Sequence, residues 1–256
     1  MKKLLYISLI VLLTVILIVS SIYVIREIKE EKKQENIFSD IENEISISDN
    51  TQENSIKEND NLKDTEQQYD YTNLYMENND MVGWIKIDGT NINFPVMQSK
   101  SEPNYYLHRN FYKNYSSYGT PYISENCTIG ESKNLIIYGH HIKNGKMFAN
   151  LVNYKSENFY KTHKIINFNT LDEKNKYEIV YVFLISTDDN FKYTNYTNFE
   201  SYEEFQYFNS KCKEHSLYDT KVESNYNDYF ITLTTCEYSQ NNGRIVIVAK
   251  RLKGGK

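Results

Sequence analysis

Cysteine and proline are both scarce in this chain. Three cysteines among 256 residues, Cys127, Cys212 and Cys236, cannot build a disulfide framework, and no C-x-x-C spacing points to a structural metal. At most one pair can form, which leaves at least one free thiol. Only 3 prolines stand against 24 tyrosines, a balance that suits a β-rich fold. A large basic field is also missing. The formal net charge is -5, and residues 26–70 hold fourteen acidic and six basic side chains. Residues 71–256 are left near +1. Nothing there holds a phosphate backbone, so nucleic acid is excluded as a partner. Dinucleotide and nucleotide-triphosphate glycine motifs and helical repeats are absent as well.

What is present begins with "LLYISLIVLLTVILIVSSIYVI", residues 4–25, which carry no charge. As a helix this run is about 33 Å long, enough to cross a bilayer core. It exceeds the apolar length of a cleaved signal peptide, and no A-x-A-like site follows, so residues 1–25 are expected to be a short tip and retained membrane anchor. Lys2 and Lys3 flank one end and Arg26, Lys29, Lys32 and Lys33 the other. Counting basic residues alone favours the second end as cytoplasmic, and the residues leave the orientation open. Residues 26–68 are polar and acidic. Their first part, "REIKEEKKQENIF", is able to extend the helix, and the remainder reads as a tether.

Residues 69–256 form the third region. A short helix is expected in "YDYTNLYMENND", then strands in "MVGWIKI", "NINFPVM", "GTPYIS" and "KNLIIYGH". Pro95 places the second of these near an edge or a bulge. "KMFANLVNY" and "SENFYKTH" have helical spacing, with Ser156 as the N-cap of the second. "KIINFNT" and "KYEIVYVFLIST" are strands five and six. "ESYEEFQYFNSKCKEHS" is an amphipathic helix whose Phe205, Phe208 and Cys212 share one face, so Cys212 is a core residue. "DYFITLTTC" and "RIVIVAKRL" complete eight strands. Eight short strands with few helices predict a mainly β fold, a closed or nearly closed eight-stranded barrel.

Two strand ends carry chemistry. "IIYGHH" ends at His140 and His141; "TLTTC" ends at Cys236, and the next strand opens with Arg244. A thiol is a poor nucleophile until a base or a cation favours its thiolate. Arginine keeps its charge and can hold an oxyanion. A strand–loop–strand hairpin brings Cys236 to Arg244. The residues alone leave open whether a histidine joins them, and whether Cys236 is reactive or merely buried.

Three blocks, "NNDMVGWIKIDGTNINFPVMQS", "NLIIYGHHIKNGKMFANL" and "ITLTTCEYSQNNGRIVIVAK", together resemble the class B sortases of Gram-positive bacteria over residues 70–253. The resemblance implies a membrane-anchored cysteine transpeptidase on an eight-stranded sortase barrel, with a cytoplasmic N-terminus and the catalytic domain outside the cell. Its partners would be secreted proteins bearing a C-terminal sorting signal, cleaved after threonine, and an amine of the cell-wall peptide. Neither cofactor nor metal is implied. By motif, Cys236 is the nucleophile, His140 the general acid and base, and Arg244 the oxyanion stabiliser, assisted by the backbone N–H of Glu237. Substrate-pocket positions map to Thr234, Glu237, Asn104 and Leu107. Hydrolysis instead of transfer, or an inactive binding module, are the other outcomes such a fold permits.

Adjacent strand residues point to opposite faces, so at most one of the two histidines meets the thiol. The motif selects His140 and leaves His141 a structural role. A metal site built on both lacks a third ligand at a familiar spacing. Cys127 lies in the polar loop "SENCTIGESKN".

Overall fold

The computed structural model describes residues 2–56 and 71–253, the side chains of 2 and 46–56 excepted. The chain divides into two units, Met1–Glu44 and Ile45–Lys256. The first is drawn from a single helix, α1 (Lys2–Ile56), which runs further than the sequence suggests. The physical reason is the absence of any proline or glycine between 26 and 56, together with Ile37, Ile41 and Ile45 recurring four apart on one face. The part of the expected tether beyond Ile56 lies outside the described residues. Within α1 an 18-residue window has a mean hydropathy of 2.8, long and apolar enough to cross a membrane.

The second unit holds a closed barrel. After α2 (Thr72–Glu77) come β1 (Met81–Lys86), β2 (Asn93–Met97), β3 (Tyr122–Ile123) and β4 (Asn134–Tyr138). Then follow α3 (Glu157–Thr162), β5 (Ile165–Thr170), β6 (Lys176–Ser186), α4 (Tyr202–His215), β7 (Phe230–Cys236) and β8 (Gly243–Arg251). The strand order around the barrel is β1-β2-β3-β4-β7-β8-β6-β5, closed by β5 on β1. This is the predicted eight-stranded architecture. Pro95 pairs with Trp84 of β1, while β2 meets β3 only at Met97, so the proline's missing N–H faces an unpaired edge.

Two helical expectations differ in detail. Phe148–Lys155 is a 3₁₀ stretch, not an α-helix, and Ser156 occupies the N-cap of α3 without a side-chain capping bond. Ser201 does cap α4: its Oγ accepts from the Glu204 N–H at 3.1 Å, with Glu203 and Glu204 in the first turn and Lys213 and His215 in the last.

Alternation along β7 and β8 separates two environments. Ile231, Leu233, Ile245, Ile247 and Ala249 are fully buried and line the barrel interior. Phe230, Val246 and Val248 face outward into a second cluster with Phe205, Phe208 and Cys212 of α4 and Phe191, Tyr193 and Phe199 of the β6–β7 connection. That outward face of β7 continues through Thr232 and Thr234 to Cys236, where the covering layer ends.

Candidate active site

Cys236 is the last residue of β7, and the antiparallel register sets it directly opposite Arg244 of β8. Opposed residues share a face, with Cβ atoms about 4.5–5.5 Å apart. The hairpin therefore joins thiol and guanidinium, as the spacing predicts. Both are half-buried, neither sealed nor fully solvated. Arg244 Nη1 donates to the carbonyl of Gly243 at 2.9 Å, which fixes one arm of the fork.

β4 runs parallel to β7 with Tyr138 level with Thr234. His140 follows two residues after Tyr138, as Cys236 follows two after Thr234. The strands stay linked past the ladder: the Gly139 N–H donates to the Thr234 carbonyl at 3.3 Å, and Thr235 Oγ1 donates to the Gly139 carbonyl at 2.7 Å. A side chain at 139 is impossible without rearrangement, because a Cβ there would sit 2.5 Å from the Phe148 ring.

His140 and His141 face different partners, as alternation requires. His140 Nε2 lies 2.7 Å from the Leu107 carbonyl, and His141 Nδ1 lies 2.8 Å from the Cys236 carbonyl. A carbonyl only accepts, so each nitrogen carries its proton. The two rings are held in opposite tautomers, and His140 keeps Nδ1 as its free base nitrogen. Burial pulls the His140 imidazole below its ordinary 6.5, the Leu107 carbonyl opposes that shift, and His108, with its ring centroid 5.5 Å away, adds to it. His140 is thus neutral at pH 7. The Leu107 carbonyl is itself set by Gly119, whose φ is +60° and whose hypothetical Cβ would lie 2.4 Å from that oxygen.

Around this centre stand three tyrosines. Burial raises the phenols of Tyr122 and Tyr193 and the more exposed Tyr238, and each of the three feels the charges of Cys236 and Arg244. Tyr193 reaches from the β6–β7 connection to Thr234, Oη to Oγ1 at 2.8 Å. Tyr122 Oη donates to Asn104 Oδ1 at 2.8 Å. Thr234 thus lies on the same face of β7 as Cys236, and Asn104 meets Tyr122 beside them. Leu107 meets the site through its backbone carbonyl on His140, a contact its side-chain type does not announce. Tyr193 and Gly119 escaped the sequence reading. Tyr193 lies in a segment without strong periodicity, and Gly119 opens the run "GTPYIS", which reads as a strand.

Glu237 is a correction on one count. Its backbone N–H donates to the Gly243 carbonyl at 2.9 Å, so it is not a spare oxyanion donor. Its buried carboxylate lies on the face opposite Cys236, where it accepts from Lys155 Nζ at 2.9 Å and from the Ser239 N–H at 3.0 Å. Those two partners and the Ser239 hydroxyl hold the carboxylate below the usual glutamate range against the opposing effect of burial. Glu237 thus ties the β7–β8 turn to Lys155.

All three cysteines are free. Burial pushes Cys127 up to about 11 and Cys212 well above the ordinary thiol value, which makes both inert. Among the described residues no three His, Cys, Asp or Glu side chains gather as a metal site.

A "Sortase domain" family model matches residues 85–252 of this chain. Sortase B of Staphylococcus aureus is 33% identical over 186 residues, covering 72% of this chain and 75% of that protein. The structure of Clostridium perfringens sortase B superposes with a TM-score of 0.67 at 34% identity, covering 71% of this chain and 98% of its own. A Staphylococcus aureus sortase B–substrate complex gives a TM-score of 0.74 at 28% identity over 88% of this chain and 99% of that one. The family model runs from within β1 to the end of β8 and takes in Cys236, His140 and Arg244: this chain belongs to the sortase family and is of the sortase B type.

Proposed function

We propose that this cysteine transpeptidase uses Cys236 as nucleophile, His140 as acid and base, and Arg244 as the oxyanion-binding cation. The single observation that supports the reading most is the pairing of Cys236 with Arg244 across β7 and β8, with His140 two residues beyond the end of β4, the strand that runs parallel to β7. A sorting-signal peptide lies in the groove bordered by Thr234, Asn104 and Tyr193. The Cys236 thiolate attacks the carbonyl carbon of the threonine, and charge on the carbonyl oxygen is met by the guanidinium of Arg244. His140 Nδ1, free in the resting protein, takes the Cys236 thiol proton as the thiolate forms; as the tetrahedral centre collapses, the C–N bond breaks and Nδ1 gives that proton to the departing amine. The threonyl group is then held as a thioester on Cys236. An incoming amine of the cell-wall peptide attacks that thioester, His140 Nδ1 takes its extra proton, and the new amide leaves as the thiolate is restored. The thioester conserves the energy of the original amide, so the exchange is self-contained.

The tautomer gives this scheme its direction. With Nε2–H committed to the Leu107 carbonyl, proton traffic passes through Nδ1 alone. In this reading α1 anchors the protein in the membrane with its N-terminus in the cytoplasm and the barrel outside. The test is full-length protein in detergent, given a threonine-containing sorting peptide with and without an amine acceptor. Formation of a threonyl–amine product is expected. Release of free threonyl acid at an unchanged rate whether or not amine is present would make the protein a hydrolase instead.

A further inference from the structure

Past Tyr138 the pairing of β4 with β7 changes character. The ladder gives way to four bonds of mixed kind. Two join Gly139 to Thr234 and Thr235. In the third, His141 Nδ1–H donates to the Cys236 carbonyl at 2.8 Å; in the fourth, Tyr238 Oη donates to the His141 carbonyl at 3.3 Å. The Tyr238 ring also lies against the imidazole of His141, with centroids 5.0 Å apart, although the tyrosine is 63% exposed. On its other side His141 forms a β-bridge with Met147. His141 is therefore held on both sides and aimed at one atom, the backbone oxygen of Cys236.

That oxygen belongs to the peptide unit joining Cys236 to Glu237. The unit is gripped at both ends, with its carbonyl on His141 and its N–H on the Gly243 carbonyl. Cys236 is where β7 stops, so no strand partner on the β4 side supplies the donor; His141 does. Gly243 in turn accepts from Arg244 Nη1, and the same short chain of bonds sets the cysteine and the arginine relative to each other. Without the His141 donor the 236–237 peptide is free to turn, and the hairpin from 237 to 243 hinges with it.

We infer that His141 is a positioning residue for the nucleophile, acting through the Cys236 carbonyl to hold the thiol and Arg244 in register. The inference rests on the reading of Cys236 as the nucleophile. It differs from a plain packing role because it requires an N–H at one place. The Nδ2 of asparagine stands at the same number of bonds from the backbone as the Nδ1 of histidine, so asparagine can supply that N–H, and alanine cannot.

The experiment compares full-length wild type, His141→Ala, His141→Asn and Cys236→Ala in detergent, with a threonine-containing sorting peptide and an amine acceptor. Positioning errors act on the reacting atoms more than on binding. His141→Ala is therefore expected to lower kcat by about tenfold or more with KM changed by less than about threefold. His141→Asn is expected to return kcat to within about threefold of wild type. Alkylation of Cys236 by iodoacetamide should follow the same order. A folded His141→Ala with wild-type kcat overturns the proposal, and so does a folded His141→Asn as slow as the alanine variant. If circular dichroism shows that His141→Ala does not fold, Tyr238→Phe decides: a kcat about threefold lower supports the proposal, and an unchanged one overturns it. Turnover by Cys236→Ala sinks the underlying mechanism and this inference together. An inactive Cys236→Ala beside an unimpaired His141→Ala sinks this inference alone.

Discussion

Along β7 the outward face passes from a sealed aromatic layer at Phe230 to a half-open polar end at Cys236, over about 20 Å of strand. At the first end, Phe199, Phe205 and Phe208 crowd around Phe230, and Cys212 of α4 is fully buried among them. At the second, Cys236, Arg244 and His140 are only half-buried, while Thr234 just before them is still covered by Tyr193. The two ends share strands and alternation; they differ in what the β6–β7 connection lays over them. Burial raises a thiol's pKa and withdraws it from chemistry, so the cover decides which cysteine can react. Tyr193 marks the boundary, since its ring belongs to the aromatic layer and its hydroxyl to the groove.

The contrast breaks most sharply if the two cysteines are exchanged in importance. Cys236→Ala is expected to lower threonyl transfer by at least about 10³-fold, since a covalent step without its nucleophile has no substitute. Cys212→Ala should leave transfer within about twofold and cost about 1 kcal/mol of stability from the cavity under α4, read by thermal unfolding. The reverse pattern would mean the cover does not govern reactivity.

Arg244 sharpens the comparison at the open end. Arg244→Met is expected to reduce kcat by about 10²–10³-fold, the usual scale for removing an oxyanion donor. Arg244→Lys should recover only part of this, because a point charge does not reproduce the fork held by the Gly243 carbonyl. Gly119→Ala is a smaller change with a wider reach. A Cβ at φ +60° would press on the Leu107 carbonyl and so displace His140. The expected cost is about 1–3 kcal/mol in stability, with a loss of kcat larger than any change in KM.

The smallest effect concerns acid. His140 has its folded pKa lowered by burial, so protonation favours the unfolded chain. The stabilising difference is present above the ordinary 6.5 and is lost as pH falls through the folded value. Thermal unfolding between pH 7 and pH 5 should show a steeper fall for wild type than for His140→Gln. Equal slopes would place the acid sensitivity elsewhere.

Much of this was legible in the residues themselves. The alternation of "FITLTTC" and "RIVIVAK" predicts the β7–β8 hairpin, and the i, i+3, i+7 spacing of Phe205, Phe208 and Cys212 predicts the buried face of α4. The pairing of Cys236 with Arg244 follows from those two strands. Contacts made by the backbone were not legible: the Leu107 carbonyl on His140 and the Cys236 carbonyl on His141 depend on tertiary approach, not on side-chain type. The Glu237 N–H was likewise not legible, because its bond to the Gly243 carbonyl depends on how the β7–β8 turn closes. The length of α1 was underread because polarity was weighed above the lack of helix-breaking residues.

The most direct measurement is mass spectrometry of the protein quenched with acid during turnover of a threonine-containing sorting peptide without amine acceptor. The account predicts a threonyl-terminated peptide fragment in thioester linkage to Cys236, released when a peptide amine is added. An adduct on another residue, or product formed with no adduct at Cys236 under conditions that preserve thioesters, would contradict it.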